Sequence, residues 1–224
     1  MSRRLENKRV LVTCADKYMG PTVEQLFKAE GAEVQTSLDP LIDQKGVDNL
    51  LSTCGDIDVL VANLVEPPHL TPVDEIEDAD WFVLFDKLVH PLMRLVRGIT
   101  PRLKAQGSGK IIAITSAAPL VGISRSAGYC AARGAQNAFI RAVGLELTRS
   151  NIQVNAIAQN YVSNDTYYSD DLVNSDKFQE HLKKYVPRRQ VANSEETAEL
   201  ALYLSLDSTR HMVGQVIPFA GGWA

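Results

Sequence analysis

A doubly wound α/β fold, with one parallel sheet and helices on both faces, follows from two features of the sequence. Apolar, β-branched runs recur at Arg9–Thr13, Ile57–Ala62, Lys110–Thr115 and Ile152–Ala158, as strands buried on both faces require. Between them lie longer segments whose apolar residues keep helical spacing. Strand–helix alternation of this kind builds a parallel sheet. No linker, repeat or low-complexity segment divides the chain, so residues 1–224 are expected to form one domain.

The elements follow in order. Arg9–Thr13 (RVLVT) is the first strand. Gly20–Gly31 has Val23, Leu26 and Phe27 at helical spacing and closes on a glycine. Glu33–Leu38 reads as a second, weaker strand, and Ile57–Ala62 (IDVLVA) as a strong third. Asp80–Leu103 is a long helical pattern with Leu84, Leu88, Leu92 and Leu95 along one face. Lys110–Thr115 (KIIAIT) is the next strand, Ser126–Arg149 an Ala-rich helix, and Ile152–Ala158 (IQVNAIA) another strand. A helix over Glu195–Leu206 and a strand over Gly214–Phe219 complete the pattern.

Composition narrows the function. The net charge is −4 with no basic block, which disfavours nucleic acid and anionic membrane as partners. No apolar run reaches the ~18 residues of a membrane span. The opening MSRRLENKR is too poor in apolar residues for a signal peptide. Cys14, Cys54 and Cys130 are scattered and odd in number, as suits a reducing cytoplasm. The four histidines are equally dispersed, so no metal site is expected.

In such sheets, ligands sit beyond the carboxyl ends of the strands. Those ends carry Cys14–Met19, Asn63–Pro68, Ser116–Ser126 and Gln159–Asp171. Ser116 follows directly on a buried strand. Tyr129 and Arg133 are four apart on the next helix and share a face. A guanidinium beside a phenol favours the phenolate. A tyrosine so placed can serve as a general base near neutral pH, with the serine hydroxyl holding the substrate oxygen. The spacing also fits a surface Tyr–Arg contact, against which the strand-end serine argues. Asp39 is read as a solvated turn residue before Pro40, His90 as a packing or subunit-contact residue, and Asn155 as satisfying local backbone. Tyr167 and Tyr168 fit either a cap over the pocket or a plain surface loop.

The chain resembles the short-chain dehydrogenase/reductase superfamily over nearly its full length. VTCADKYMG (residues 12–20) stands where that family has TGxxxGxG, DVLVAN at its NNAG segment, the Ser116 strand end at its serine, and GYCAAR at YxxxK. The closing GGW also fits. Four departures run one way. Cys14 and Tyr18 replace the first two glycines and put side chains where a pyrophosphate would approach the helix. NNAG has become Ala62–Asn63–Leu64–Val65, Lys has become Arg133, and the usual PG has become Gln159–Asn160–Tyr161.

This pattern is similar to the halohydrin dehalogenases, a branch of the superfamily without a nucleotide cofactor. The resemblance implies a Rossmann-like fold and the triad Ser116, Tyr129 and Arg133. It also implies a halide pocket formed by Tyr18, Asn160, Tyr161 and Val162, with Gln159 a weaker carry-over. The expected ligands are vicinal halohydrins or epoxides and small anions. No cofactor is expected, and a homotetramer is implied. Backbone N–H groups of the Gln159–Val162 loop are the expected anion nest. Two rivals remain, a nicotinamide-dependent dehydrogenase with an unusual turn and a non-catalytic sensor. The retained triad argues against the sensor, and Cys14, Tyr18 and Arg133 against the dehydrogenase.

Overall fold

Six strands form one parallel sheet in the computed structural model, which describes residues 3–39 and 41–224. Pro40, with its part in the turn expected after Asp39, lies outside the described residues, as do Met1 and Ser2. The elements are β1 (Arg9–Thr13), α1 (Gly20–Ala29), β2 (Glu33–Ser37), α2 (Gln44–Thr53), β3 (Val59–Asn63), α3 (Asp78–Leu84), α4 (His90–Gln106) and β4 (Gly109–Ser116). A single turn, α5 (Ala118–Val121), leads to α6 (Ala127–Leu147) and β5 (Ile152–Gln159). Then come α7 (Asp170–Val173), α8 (Asp176–Tyr185), α9 (Ser194–Ser205) and β6 (Val216–Phe219).

The sheet order is β2-β1-β3-β4-β5-β6, parallel throughout. The chain thus reverses direction between β1 and β3, and a crevice opens at their carboxyl ends. β3, β4 and β5 are buried along their whole length, which explains the apolar centres of β3 and β4, while β5 also buries Gln153, Asn155 and Gln159. One hydrophobic cluster joins β3, β4 and β5 to α2, α4 and α6. A second joins the opposite face to α1 and α9.

The sequence pattern misses the single turns α5 and α7 and two longer helices, α2 and α8. α2 is short, with a glycine in its first turn, and rests on an Asp43 side chain that accepts from Gly46 N at 2.7 Å. α8 is largely charged and buries only Leu182. The third strand starts two residues later and ends one residue later than expected. The long helix expected over Asp80–Leu103 is a further correction, because a π turn at Phe85–Val89 divides it into α3 and α4. Pro91 is the physical reason. It has no N–H to donate, and its ring conflicts with the carbonyl four residues back, so the helical ladder slips just before it. His90 starts α4, its Nδ1 2.8 Å from Asp86 Oδ1. Asn155 satisfies backbone, donating to Met212 O and accepting from Gln215 N.

The turn between β1 and α1 sets the floor of the crevice. Cys14 and Tyr18 adopt φ of 45° and 58°, left-handed values that cost a non-glycine residue roughly 1–2 kcal/mol each. Asn63 at the end of β3 holds the strained turn, its Nδ2 donating to Cys14 O (2.9 Å) and Lys17 O (3.0 Å). Gly20 closes the turn onto α1. A Cβ there would lie 2.5 Å from Cys14 O and 2.6 Å from Ala15 Cα. Backbone cannot yield as a side chain does. Gly20→Ala should therefore lower the unfolding free energy by about 2–3 kcal/mol, the upper part of the overpacking range. Urea unfolding with an unchanged m-value checks this.

Candidate active site

Ser116, Tyr129 and Arg133 meet at the carboxyl end of β4. Ser116 ends the strand and is buried. Its Oγ accepts from Ala118 N at 3.1 Å, which leaves its proton free to be donated. Tyr129 and Arg133 lie one turn apart on α6, and Arg133 Nε donates to the Tyr129 hydroxyl at 3.1 Å. Tyr129 and Ser116 line one cavity of about 60 Å³ with Tyr18, Gln159, Asn160, Val162 and Tyr167 among its walls. That is room for only a few small-molecule atoms.

Arg133 has no exposed surface. The remaining guanidinium protons go to Ile114 O (3.4 Å), Gln136 Oε1 (3.0 Å), Leu64 O (3.2 Å) and the Tyr167 hydroxyl (3.1 Å). Every acceptor is neutral, and among the described residues no carboxylate pairs with Arg133. Burial works against its charge, but the phenols of Tyr129, Tyr167 and Tyr18 prevail and hold its pKa above the usual arginine value. A net positive charge is thus enclosed beside the cavity.

The phenols around it respond in the opposite sense. Burial pushes Tyr18 and Tyr167 well up, and Arg133 only partly opposes this. Both stay protonated near neutral pH and act as neutral donors. Their rings pack at 4.9 Å. The Tyr18 hydroxyl is 3.5 Å from Thr115 O, too long for a strong bond. Tyr168, pushed up by burial, donates to Asn160 Oδ1. Tyr167 and Tyr168 are therefore walls of the cavity, not surface loop.

Two expectations about the anion loop need correction. The nest of backbone N–H groups is mostly filled. Asn160 N donates to Phe219 O and Tyr161 N to Asn160 Oδ1, while Val162 N has no acceptor among the described residues. Tyr161 points its ring away from the cavity. With φ at 55° it joins Phe178, His181 and Trp223, and its hydroxyl is 2.9 Å from His181 Nε2. An aromatic ring gains more by packing there than by filling a small polar pocket. The free polar edge facing the cavity belongs instead to Gln159, whose Oε1 is buried without a partner.

A family model described as enoyl-(acyl carrier protein) reductase matches residues 6–224. The chain belongs to this family, within the short-chain dehydrogenase/reductase superfamily. Within the superfamily, it is 28% identical over 256 residues to a 3-oxoacyl-(acyl-carrier-protein) reductase of Chlamydia trachomatis, with both chains fully covered. Two solved structures are also similar. A protein described as a dehalogenation enzyme has a TM-score of 0.91 and 27% identity, covering 99% of this chain and 100% of its own. A halohydrin dehalogenase bound to ethyl (2S)-oxiran-2-ylacetate has a TM-score of 0.84 and 26% identity, covering 96% of each chain.

Many members of this superfamily bind a nicotinamide dinucleotide, and the residues present do not fit one. Such a ligand needs one continuous trough past the first turn. Here the Tyr18 side chain is buried in that path against Tyr167. A second cavity of about 240 Å³ beside Cys14, Lys17 and Leu38 shares no lining residue with the first. Among the described residues no cluster suits a metal ion, and no helix is long and apolar enough to cross a membrane.

Gln136 is the residue the sequence pattern did not single out. It looks like one more polar residue in an Ala-rich helix, yet it is buried against Arg133. The same geometry makes the guanidinium fork itself a stability determinant. Arg133→Lys keeps a charge but offers three donors to five acceptors. It should cost about 2–3 kcal/mol, since buried acceptors are left unpaired. Urea unfolding of the variant against wild type measures this.

Proposed function

We propose that the protein is a halohydrin dehalogenase, converting vicinal halohydrins to epoxide, halide and a proton without a nucleotide cofactor. The observation that carries this is the buried Arg133 charge, satisfied in hydrogen bonds yet lacking a counter-anion, beside a small polar cavity. A buried ion without an opposite charge costs several kcal/mol. An opposite charge brought close to it returns on the order of a few kcal/mol at an effective dielectric of ~20. Such a site favours a small anion in the pocket. The two dehalogenase likenesses over nearly whole chains support the same reading.

The chemistry follows from the hydrogen bonds. The substrate hydroxyl sits between Ser116 and Tyr129. Tyr129 takes its proton while Ser116 Oγ, already accepting from Ala118 N, donates to the substrate oxygen. That oxygen attacks the neighbouring carbon from behind as the carbon–halogen bond breaks. Donors aimed at the developing charge then stabilise the halide. They are the neutral Tyr18 hydroxyl, Val162 N–H and the Gln159 amide, turned to present Nε2. Asn160 closes the pocket wall. In reverse, azide, cyanide or nitrite opens a terminal epoxide and Tyr129 returns the proton.

The homotetramer is part of the same proposal. Phe82 on α3 and Leu145 on α6 are large, apolar and exposed, as an unfilled subunit interface would leave them.

One other reading has a specific observation in its favour. The reductase family model and the Chlamydia trachomatis relative are consistent with a nicotinamide-dependent reductase. Two measurements separate the readings. Halide release from a simple vicinal halohydrin should proceed with no cofactor, and Tyr129→Phe should slow it on the order of 10²–10⁴-fold with the fold intact. Equal rates in wild type and variant count against the assignment. Millimolar NADPH should leave the melting temperature unchanged. Binding at micromolar Kd would add several kcal/mol and raise it clearly, in favour of the reductase.

A further inference from the structure

Gln136 joins three features that the proposed reaction leaves unexplained. It is buried, its Oε1 accepts from Arg133 Nη1 at 3.0 Å, and its Nε2 donates to the main-chain carbonyl of Leu88 at 2.6 Å. Leu88 lies in the π turn that precedes Pro91. The amide therefore ties the guanidinium to an irregular stretch of backbone through neutral groups only. We propose that Gln136 is a positioning residue: it fixes Arg133 against Tyr129 without supplying a counter-charge, so that the guanidinium charge is balanced at the catalytic pocket. This rests on the reading of the pocket given above.

A carboxylate at this position would keep the bond from Arg133 Nη1 but cancel the charge. The amide is required by its other partner as well. Its Nε2 donates to the Leu88 carbonyl, and an ionised carboxylate has no proton to give there. The π turn and the amide thus act together. One presents an acceptor to α6, and that acceptor demands a side chain which leaves Arg133 uncompensated.

The other groups facing Tyr129 and Arg133 do not supply the missing charge. Tyr18, from the turn after β1, and Tyr167 and Tyr168, from the segment after β5, are phenols held protonated by burial. Ser116 from β4 is neutral. Beyond β3, Leu64 offers only its carbonyl. Glu66 turns its main-chain carbonyl to Tyr167 and its carboxylate to Lys87 at 2.8 Å.

The test compares Gln136→Glu and Gln136→Met, each checked for folding by circular dichroism and thermal melting. Bromide binding is read by calorimetry, and kcat/KM by halide release. Gln136→Glu should weaken bromide binding about tenfold or more. It should also lower kcat/KM for halide release about tenfold or more, because a nearby negative charge disfavours negative charge developing at the pocket. Gln136→Met, which leaves the guanidinium charge in place, should keep bromide affinity within about threefold and lower kcat with little change in KM. A Gln136→Glu protein that folds and matches wild type in both readouts overturns the proposal. So does a Gln136→Met protein with unchanged kcat, which decides the matter if Gln136→Glu does not fold. The reading of the pocket fails separately. Wild type would then neither release halide nor bind bromide.

Discussion

Arg133 carries its charge into the interior and finds only neutral acceptors there. Each of those acceptors comes from a defined place in the fold. Tyr129 and Gln136 stand on α6, Ile114 on β4, Leu64 beyond β3 and Tyr167 beyond β5. A buried cation tolerates no missing hydrogen bond, because each unpaired partner forfeits its own solvation. The position of α6 over the sheet and the path of the chain after β5 are therefore bound together by one side chain. The Tyr129 phenol is held by the same constraint.

The turn after β1 is the second constraint. Its backbone keeps left-handed conformations that glycine would take without strain, and Asn63 holds it there. What changes is the space above it. A tyrosine ring stands where a ligand would otherwise pass over bare backbone, and Tyr167 packs on it. Burial keeps both phenols neutral, so they line the cavity as donors and do not repel an anion. Strain at this turn and enclosure of the cavity are two sides of the same substitution.

The segment after β5 is anchored at two ends that face opposite ways. Tyr161 turns outward into an aromatic cluster with α8, while Tyr167 turns inward to Arg133 and donates to Glu66 O. The segment is thereby a wall of the pocket, and α8 packs on its outer side. Residues six apart in sequence serve different cores, which is why loop composition alone could not tell a cap from a surface loop.

Much of the fold lay in plain view because it rests on local pattern. Buried parallel strands favour apolar, β-branched stretches, and β1, β3 and β4 show them. The spacing that puts Tyr129 beside Arg133 is a property of any helix, and Ser116 at a strand end follows from the strand itself. Tyr18 in place of a glycine was legible through the resemblance to the short-chain dehydrogenase/reductase superfamily. The sequence by itself determined the parallel sheet, the strand ends that carry polar chemistry and the pairing of the phenol with a guanidinium. Tertiary structure alone decided which groups surround that guanidinium. Its partners lie 19, 34 and 69 residues away, and the Leu88 carbonyl that holds Gln136 is 48 residues from it. No periodicity reaches across such distances. The absence of a carboxylate, the outward turn of Tyr161 and the place of Gln136 exist only once separate strands and helices are packed against one another.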